Sequence, residues 1–155
     1  MSVRLAECPG VSPAWNAFVE GHPQASVFHL LEWQRIIVSA YGHEPHYLAA
    51  SEPAGVAGVL PLVMIRSRLF GRSLVSLPFA DYGGICASDP AVARALLERA
   101  LAIGGERGAD YVQLRQRQPH PAVVGVPGDK VTMLLDLAPD PQALWARLPS
   151  ERRNR

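Results

Sequence analysis

Apolar and polar positions along this chain follow two periods, and the points where the period changes divide it into elements. Ser12-Pro13 reads as a helix start: a side-chain acceptor, then a residue with preset φ and no N–H to strand. Trp15, Phe18 and Val19 fall on one face, and Gly21-His22-Pro23 ends the run. Leu30, Trp33, Ile37 and Tyr41 predict a second helix over Leu30–Tyr41, with Gly42 as its C-terminal cap.

At His46 the texture becomes strand-like. His46–Ala50, Val56–Arg66 and Ser73–Leu77 read as strands joined by short turns, the middle one rich in valine, isoleucine and leucine, which predicts an antiparallel meander. The middle run is apolar on successive residues, the pattern of a strand buried on both faces, and Pro61 inside it predicts a bulge or bend. Asp89-Pro90 opens the clearest helix, with Ala93, Leu97, Ala100, Leu101 and Gly104 as its apolar stripe. Asp110–Arg117 reads as a strand, Pro119–Gly128 as a loop and Val131–Leu137 as a strand. Asp140-Pro141 starts a last helix carrying Leu144, Trp145 and Leu148. Pro149-Ser150-Glu151 then resembles a fresh cap, so residues 1–148 read as one domain and residues 149–155 as the start of a continuation.

The corner Leu74–Ile85 is where the chemistry concentrates. Pro78 stops the strand, Gly83 and Gly84 permit unusual backbone angles and close approach, and Asp81 and Tyr82 stand between them. A strand-to-helix loop at the edge of an α/β sheet is where ligands usually bind; the same letters also spell a tight turn with an aspartate in it. Farther on, a period of two would put Gln113, Arg115 and Arg117 on one strand face, where guanidinium forks can clamp phosphate or carboxylate. A solvated face paired with Glu98 or Glu106 is the alternative. Arg66, Arg68 and Arg72 make a basic turn, either a solvated tip or a contact for an anionic partner.

Composition narrows the classes. The chain has 155 residues, net charge +1 and 48% hydrophobic residues, so no global field points to nucleic acid or an anionic membrane. Cys8 and Cys86 are isolated, as in a reducing compartment. The first residues lack a signal-peptide core, and the longest apolar run, Val56–Ile65, is half of a membrane span, so a cytoplasmic protein without a span is expected. His43-Glu44-Pro45-His46 has the wrong spacing for a helical zinc pair, and Pro45 would break the helix; no metal site is expected. Neither a GxSxG elbow nor a Walker phosphate loop occurs.

The element order is similar to the N-acyltransferase fold of the GNAT superfamily, an α/β (α+β) fold with a mixed, mostly antiparallel sheet flanked by helices. More specific are the phrases Phe28–Trp33, His46–Ala50, Gly58–Leu62, Arg66–Leu74, Ser76–Gly84 and Leu114–Arg117. Together they resemble FemAB-like proteins, in particular the branch associated with PEP-CTERM/exosortase and exopolysaccharide systems. The resemblance runs from Trp15 to Arg155 and matches the first of the two GNAT-like halves of that family.

That resemblance implies an acyl or aminoacyl transferase serving peptidoglycan or exopolysaccharide synthesis. The donor would be aminoacyl-tRNA or an acyl-CoA, with no other cofactor, and the acceptor a cell-envelope precursor or polysaccharide. Asp81 and Tyr82 are the residues at the corner able to move a proton from the attacking amine; Arg115, Arg117 and Gln113, with Gly83 and Gly84, would hold donor or acceptor. The Q/R-x-x-G-x-G/A loop of acetyl-CoA enzymes is replaced by Phe79–Gly84, which disfavours acetyl-CoA. A half-domain alone is expected to be inactive, and to form a homodimer through the face its second half would cover. The competing readings are a non-catalytic GNAT-like binding module and a small acetyl-CoA-dependent acetyltransferase.

Overall fold

The computed structural model describes residues 3–8, 12–117, 137 and 139–153, and the chain divides into two compact units, Met1–Val124 and Gly125–Arg155. The first holds strands β1 (Arg4–Glu7), β2 (Glu44–Glu52), β3 (Gly55–Ser67), β4 (Gly71–Ser76), β5 (Cys86–Ala87) and β6 (Tyr111–Gln113), with helices α1 (Pro13–Gly21), α2 (Glu32–Tyr41) and α3 (Pro90–Glu106). The sheet order is β1-β2-β3-β4-β6, with β5 added to β3. Every pairing is antiparallel except that of β6 with β4, reached by a crossover through α3. The architecture is therefore α+β, a mixed and mostly antiparallel open sheet compatible with a GNAT-like fold.

β3 is buried almost throughout, as its unbroken apolar run requires. Its alternate residues enter two cores. Leu60, Leu62 and Met64 pack with Leu48 and Leu74 against Val92, Leu96, Ala100 and Ile103 of α3. Val59 and Val63 pack with Tyr47 and Leu77 against Trp15, Val19, Leu31 and Ile37 from the α1–α2 layer. The expected bulge at Pro61 is absent: Pro61 faces Tyr47 in an unbroken ladder, and the irregularity falls between Ala50 and Ser51. Pro61 is tolerated because β3 changes neighbours there, from β4 at Leu62–Ser67 to β5 at Gly58–Val59. Its carbonyl still accepts the Leu77 N–H at 3.1 Å, and no strand needs the N–H it lacks.

The helix starts follow their capping letters. Ser12 accepts from Trp15 N–H at 3.4 Å, and Asp89 accepts from Ala91 and Val92 N–H at 2.7 and 3.0 Å. Gly42 closes α2 at φ 65°, the left-handed cap its position predicts. The buried stripe of α3 is Val92, Ala93, Leu96, Ala100, Ile103 and Gly104; Leu101, expected inside, is exposed. Gly104 is demanded by packing, since a Cβ there would meet the Val112 side chain at 2.7 Å. In the second unit α4 (Pro141–Arg147) is capped by Asp140 through Gln142 N–H at 3.0 Å, and α5 covers Ser150–Arg153. The loop expected over Pro119–Gly128 and residues 131–136 of the next expected strand lie outside the described residues. Among the described residues no helix is long and apolar enough to cross a membrane.

Trp15 joins the layers: it is fully buried, and its indole N–H donates to the His29 carbonyl at 2.7 Å. Trp15→Phe leaves that carbonyl without its donor and should cost about 1–3 kcal/mol of unfolding free energy, beyond the lost ring volume. Urea denaturation at neutral pH checks it.

Candidate functional site

Leu77, Pro78 and Phe79 turn the chain off the end of β4, and the turn is strained. Leu77 and Phe79 adopt φ of 42° and 65°, the left-handed region that side chains other than glycine avoid. Packing holds them there. Leu77 is buried in the α1–α2 core, while Phe79, 60% exposed, stacks on Tyr41 at the end of α2 with ring centroids 4.3 Å apart. This fixed corner sends Tyr82 and Gly84 along one wall of a cavity of about 520 Å³. The remaining walls come from the segment before α2 (Gln24, Ser26, His29), the start of α3 (Asp89, Ala93, Arg94) and the chain beyond β6 (Arg115, Gln116, Arg117).

β6 stops at Gln113, three residues into the expected Asp110–Arg117 strand, because its partner β4 has ended. Arg115 N–H donates instead to the Ser76 hydroxyl at 2.7 Å, and its carbonyl accepts Gly83 N–H at 3.2 Å. The period of two is lost with the ladder. Arg115, Gln116 and Arg117 all border the cavity, whereas Gln113 is exposed on β6 and is not among the lining residues. The Arg115 guanidinium donates to the Ala80 carbonyl and so braces the corner. No ion pair joins Arg94, Arg115 or Arg117 to a carboxylate among the described residues.

Each residue of the corner has its own place. Tyr82 is half-buried in the cavity wall, and Asp81 is exposed beside it, outside the lining. Gly83 and Gly84 are buried, and their missing side chains make room for protein. A Cβ on Gly83 would crowd the Leu77 Cβ, and one on Gly84 would overlap the Gln116 side chain. The Gln116 side-chain oxygen accepts Ile85 N–H at 2.6 Å.

Sequence reasoning missed His29 and Gln116. His29 is 3% exposed; its Nδ1 faces Ser26 N–H at 3.1 Å, and its Nε2 lies 3.1 Å from the Gly84 carbonyl. Because Nδ1 accepts, the proton sits on Nε2 and is donated to Gly84. His22 repeats the device nearby, accepting Gln24 N–H at Nδ1 (3.3 Å) and reaching the Ala87 carbonyl through Nε2 (3.1 Å). Two imidazoles thus hold the 84–87 segment from one side. The only signal for His29 was Phe28-His29-Leu30-Leu31, in which a histidine stands within an apolar run.

Burial drives the His29 pKa below 6.5, with the Gly84 and Ser26 hydrogen bonds opposing it weakly. The folded state therefore binds this proton less readily than the unfolded chain. The stabilisation is complete above pH 6.5 and is lost as pH falls below it toward the folded pKa. His29→Gln should be less stable at pH 8 by about 1–3 kcal/mol and should flatten the fall between pH 6.5 and 5. Urea unfolding of both proteins across that range measures the difference.

No protein-family model matches the chain, and no curated protein matches it in sequence. Among solved structures it is similar to the crystal structure of a transcriptional regulator from Bacillus halodurans C-125. That likeness has a TM-score of 0.54 at 12% identity, over 88% of this chain and 100% of the other. At that identity the likeness is one of fold alone.

Proposed function

We propose that this chain is an N-acyltransferase domain of the FemAB type, acting in the synthesis of peptidoglycan or exopolysaccharide. Its donor would be an aminoacyl ester carried on tRNA. The observation that carries the reading is the cavity itself: three arginines without a described carboxylate partner, beside the Tyr82 ring, at the crossover from β4 to α3. Arg94 and Arg117 bind phosphate, as forked guanidinium groups do. Arg115 has a second task, because its guanidinium also carries the Ala80 carbonyl.

In the reaction the acceptor amine attacks the ester carbonyl carbon. The C–N bond forms, the ester C–O bond breaks, and the ribose oxygen leaves with a proton derived from the amine. Tyr82 is the protic side chain that the corner contributes to the cavity wall and relays that proton; Asp81, one residue away and exposed, attracts the acceptor ammonium to the rim. Holding both reactants in one cavity supplies most of the acceleration. Acetyl-CoA is a poorer donor for this site. Pyrophosphate would need free amides at the start of α3, and Asp89 already takes those of Ala91 and Val92.

One observation favours the second reading, a binding module without transfer activity: Asp81 lies outside the cavity lining, and the carboxylate that does line it, Asp89, is engaged in capping α3 through Ala91 and Val92 N–H. The test separates the two. A fluorescent acceptor-stem minihelix esterified with alanine should bind the chain, and Arg94→Ala and Arg117→Ala should each raise Kd roughly tenfold. Tyr82→Phe should leave Kd unchanged and slow transfer to a precursor amine by about a hundredfold or more. Binding without transfer selects the second reading, and binding insensitive to both arginines removes the cavity from either.

A further inference from the structure

We propose that the tip of the β3–β4 hairpin docks onto an anionic lipid surface, as a contact separate from the cavity. Leu69 and Phe70 are adjacent there and are 86% and 84% exposed, the two most exposed large apolar side chains among the described residues. A built turn displays them. The Ser67 hydroxyl accepts Leu69 and Phe70 N–H at 3.2 and 3.1 Å, and Gly71 follows at φ 76°. A Cβ at Gly71 would strike the Asp110 carboxylate, which accepts Arg72 N–H at 2.8 Å and so ties the hairpin base to the start of β6.

Charge selects the partner. Arg66 and Arg107 both pair with Glu44, at 2.8 and 2.9 Å. The Arg68 and Arg72 guanidinium groups form no ion pair with a described residue, so two positive charges flank the apolar pair on an otherwise nearly neutral chain. A stable protein interface buries about 800 Å² on each side, far more than two side chains on a convex tip supply. A bilayer needs no complementary groove: its interface takes up leucine and phenylalanine while anionic headgroups meet the arginines. The tip also stands well away from the cavity. Gly58, opposite Ala87 at the cavity border, and Ser67 at the turn are separated by the remaining length of β3, roughly 30 Å.

Cosedimentation of the full chain with vesicles of equal phosphatidylglycerol and phosphatidylcholine tests this, against pure phosphatidylcholine. Binding is expected to the anionic vesicles only, and to weaken roughly tenfold between 50 and 300 mM NaCl. Leu69→Ser with Phe70→Ser, and separately Arg68→Glu, should each weaken it roughly tenfold or more. All three side chains are exposed, so these variants keep the fold, which circular dichroism verifies. Absence of binding to anionic vesicles overturns the proposal, as does binding that the double variant leaves intact. A dimer in sedimentation equilibrium that the double variant abolishes, without vesicle binding, assigns the tip to a second copy and also overturns it. None of these outcomes touches the minihelix assay, so this inference and the cavity reading fail separately.

Discussion

The structure depends on a strand that must bury both of its faces. β3 has no polar side, so helices have to cover the sheet above and below, and its two alternating sets of side chains define the two cores. The same strand also fixes where the sheet opens. β3 exchanges β4 for β5 at Pro61, and β4 must therefore turn away at Leu77. The space left at that exchange is bordered by the corner, the start of α3 and the chain after β6, and it becomes the cavity.

Holding the corner is a matter of offsetting strain with contacts. Two left-handed residues of ordinary type cost about 1–3 kcal/mol each, and they persist only where the surroundings fix them. Leu77 is fixed by burial, Phe79 by the ring of Tyr41, and the backbone beyond them by the Arg115 guanidinium, the Gln116 carbonyl and the two imidazoles. Nearly every group bracing the corner lies far from it in sequence. Here lining the cavity and bracing the corner fall on the same residues, Arg115 above all.

That distance explains what could be read in advance. The caps at Ser12, Asp89 and Asp140, the glycine after α2 and the β2–β3–β4 meander are local features, and local letters encode them. β1 and β5 carry almost no local signal, because four and two residues become strands only by docking on β2 and β3. That Arg115 and Arg117 belong together was legible, and both border the cavity, but the way they come to share it was not. Their alternation presumed a ladder partner, and β4 ends before it can provide one. His29 and Gln116 were missed for the same reason, since each has meaning only through Gly84 and Ile85 on another segment.

The parallel pairing of β6 with β4 bears on how the chain acquires its shape. The meander closes through short hairpins, whereas the bond from Arg115 to Ser76 spans 39 residues and waits for α3 to cross the sheet. By that sequence separation the cavity wall is expected to assemble after the meander and to open before it, with faster amide exchange than β3. An occupant that bridges the two sides of the cavity closes this late-forming seam, stabilising the whole first unit through its least stable part.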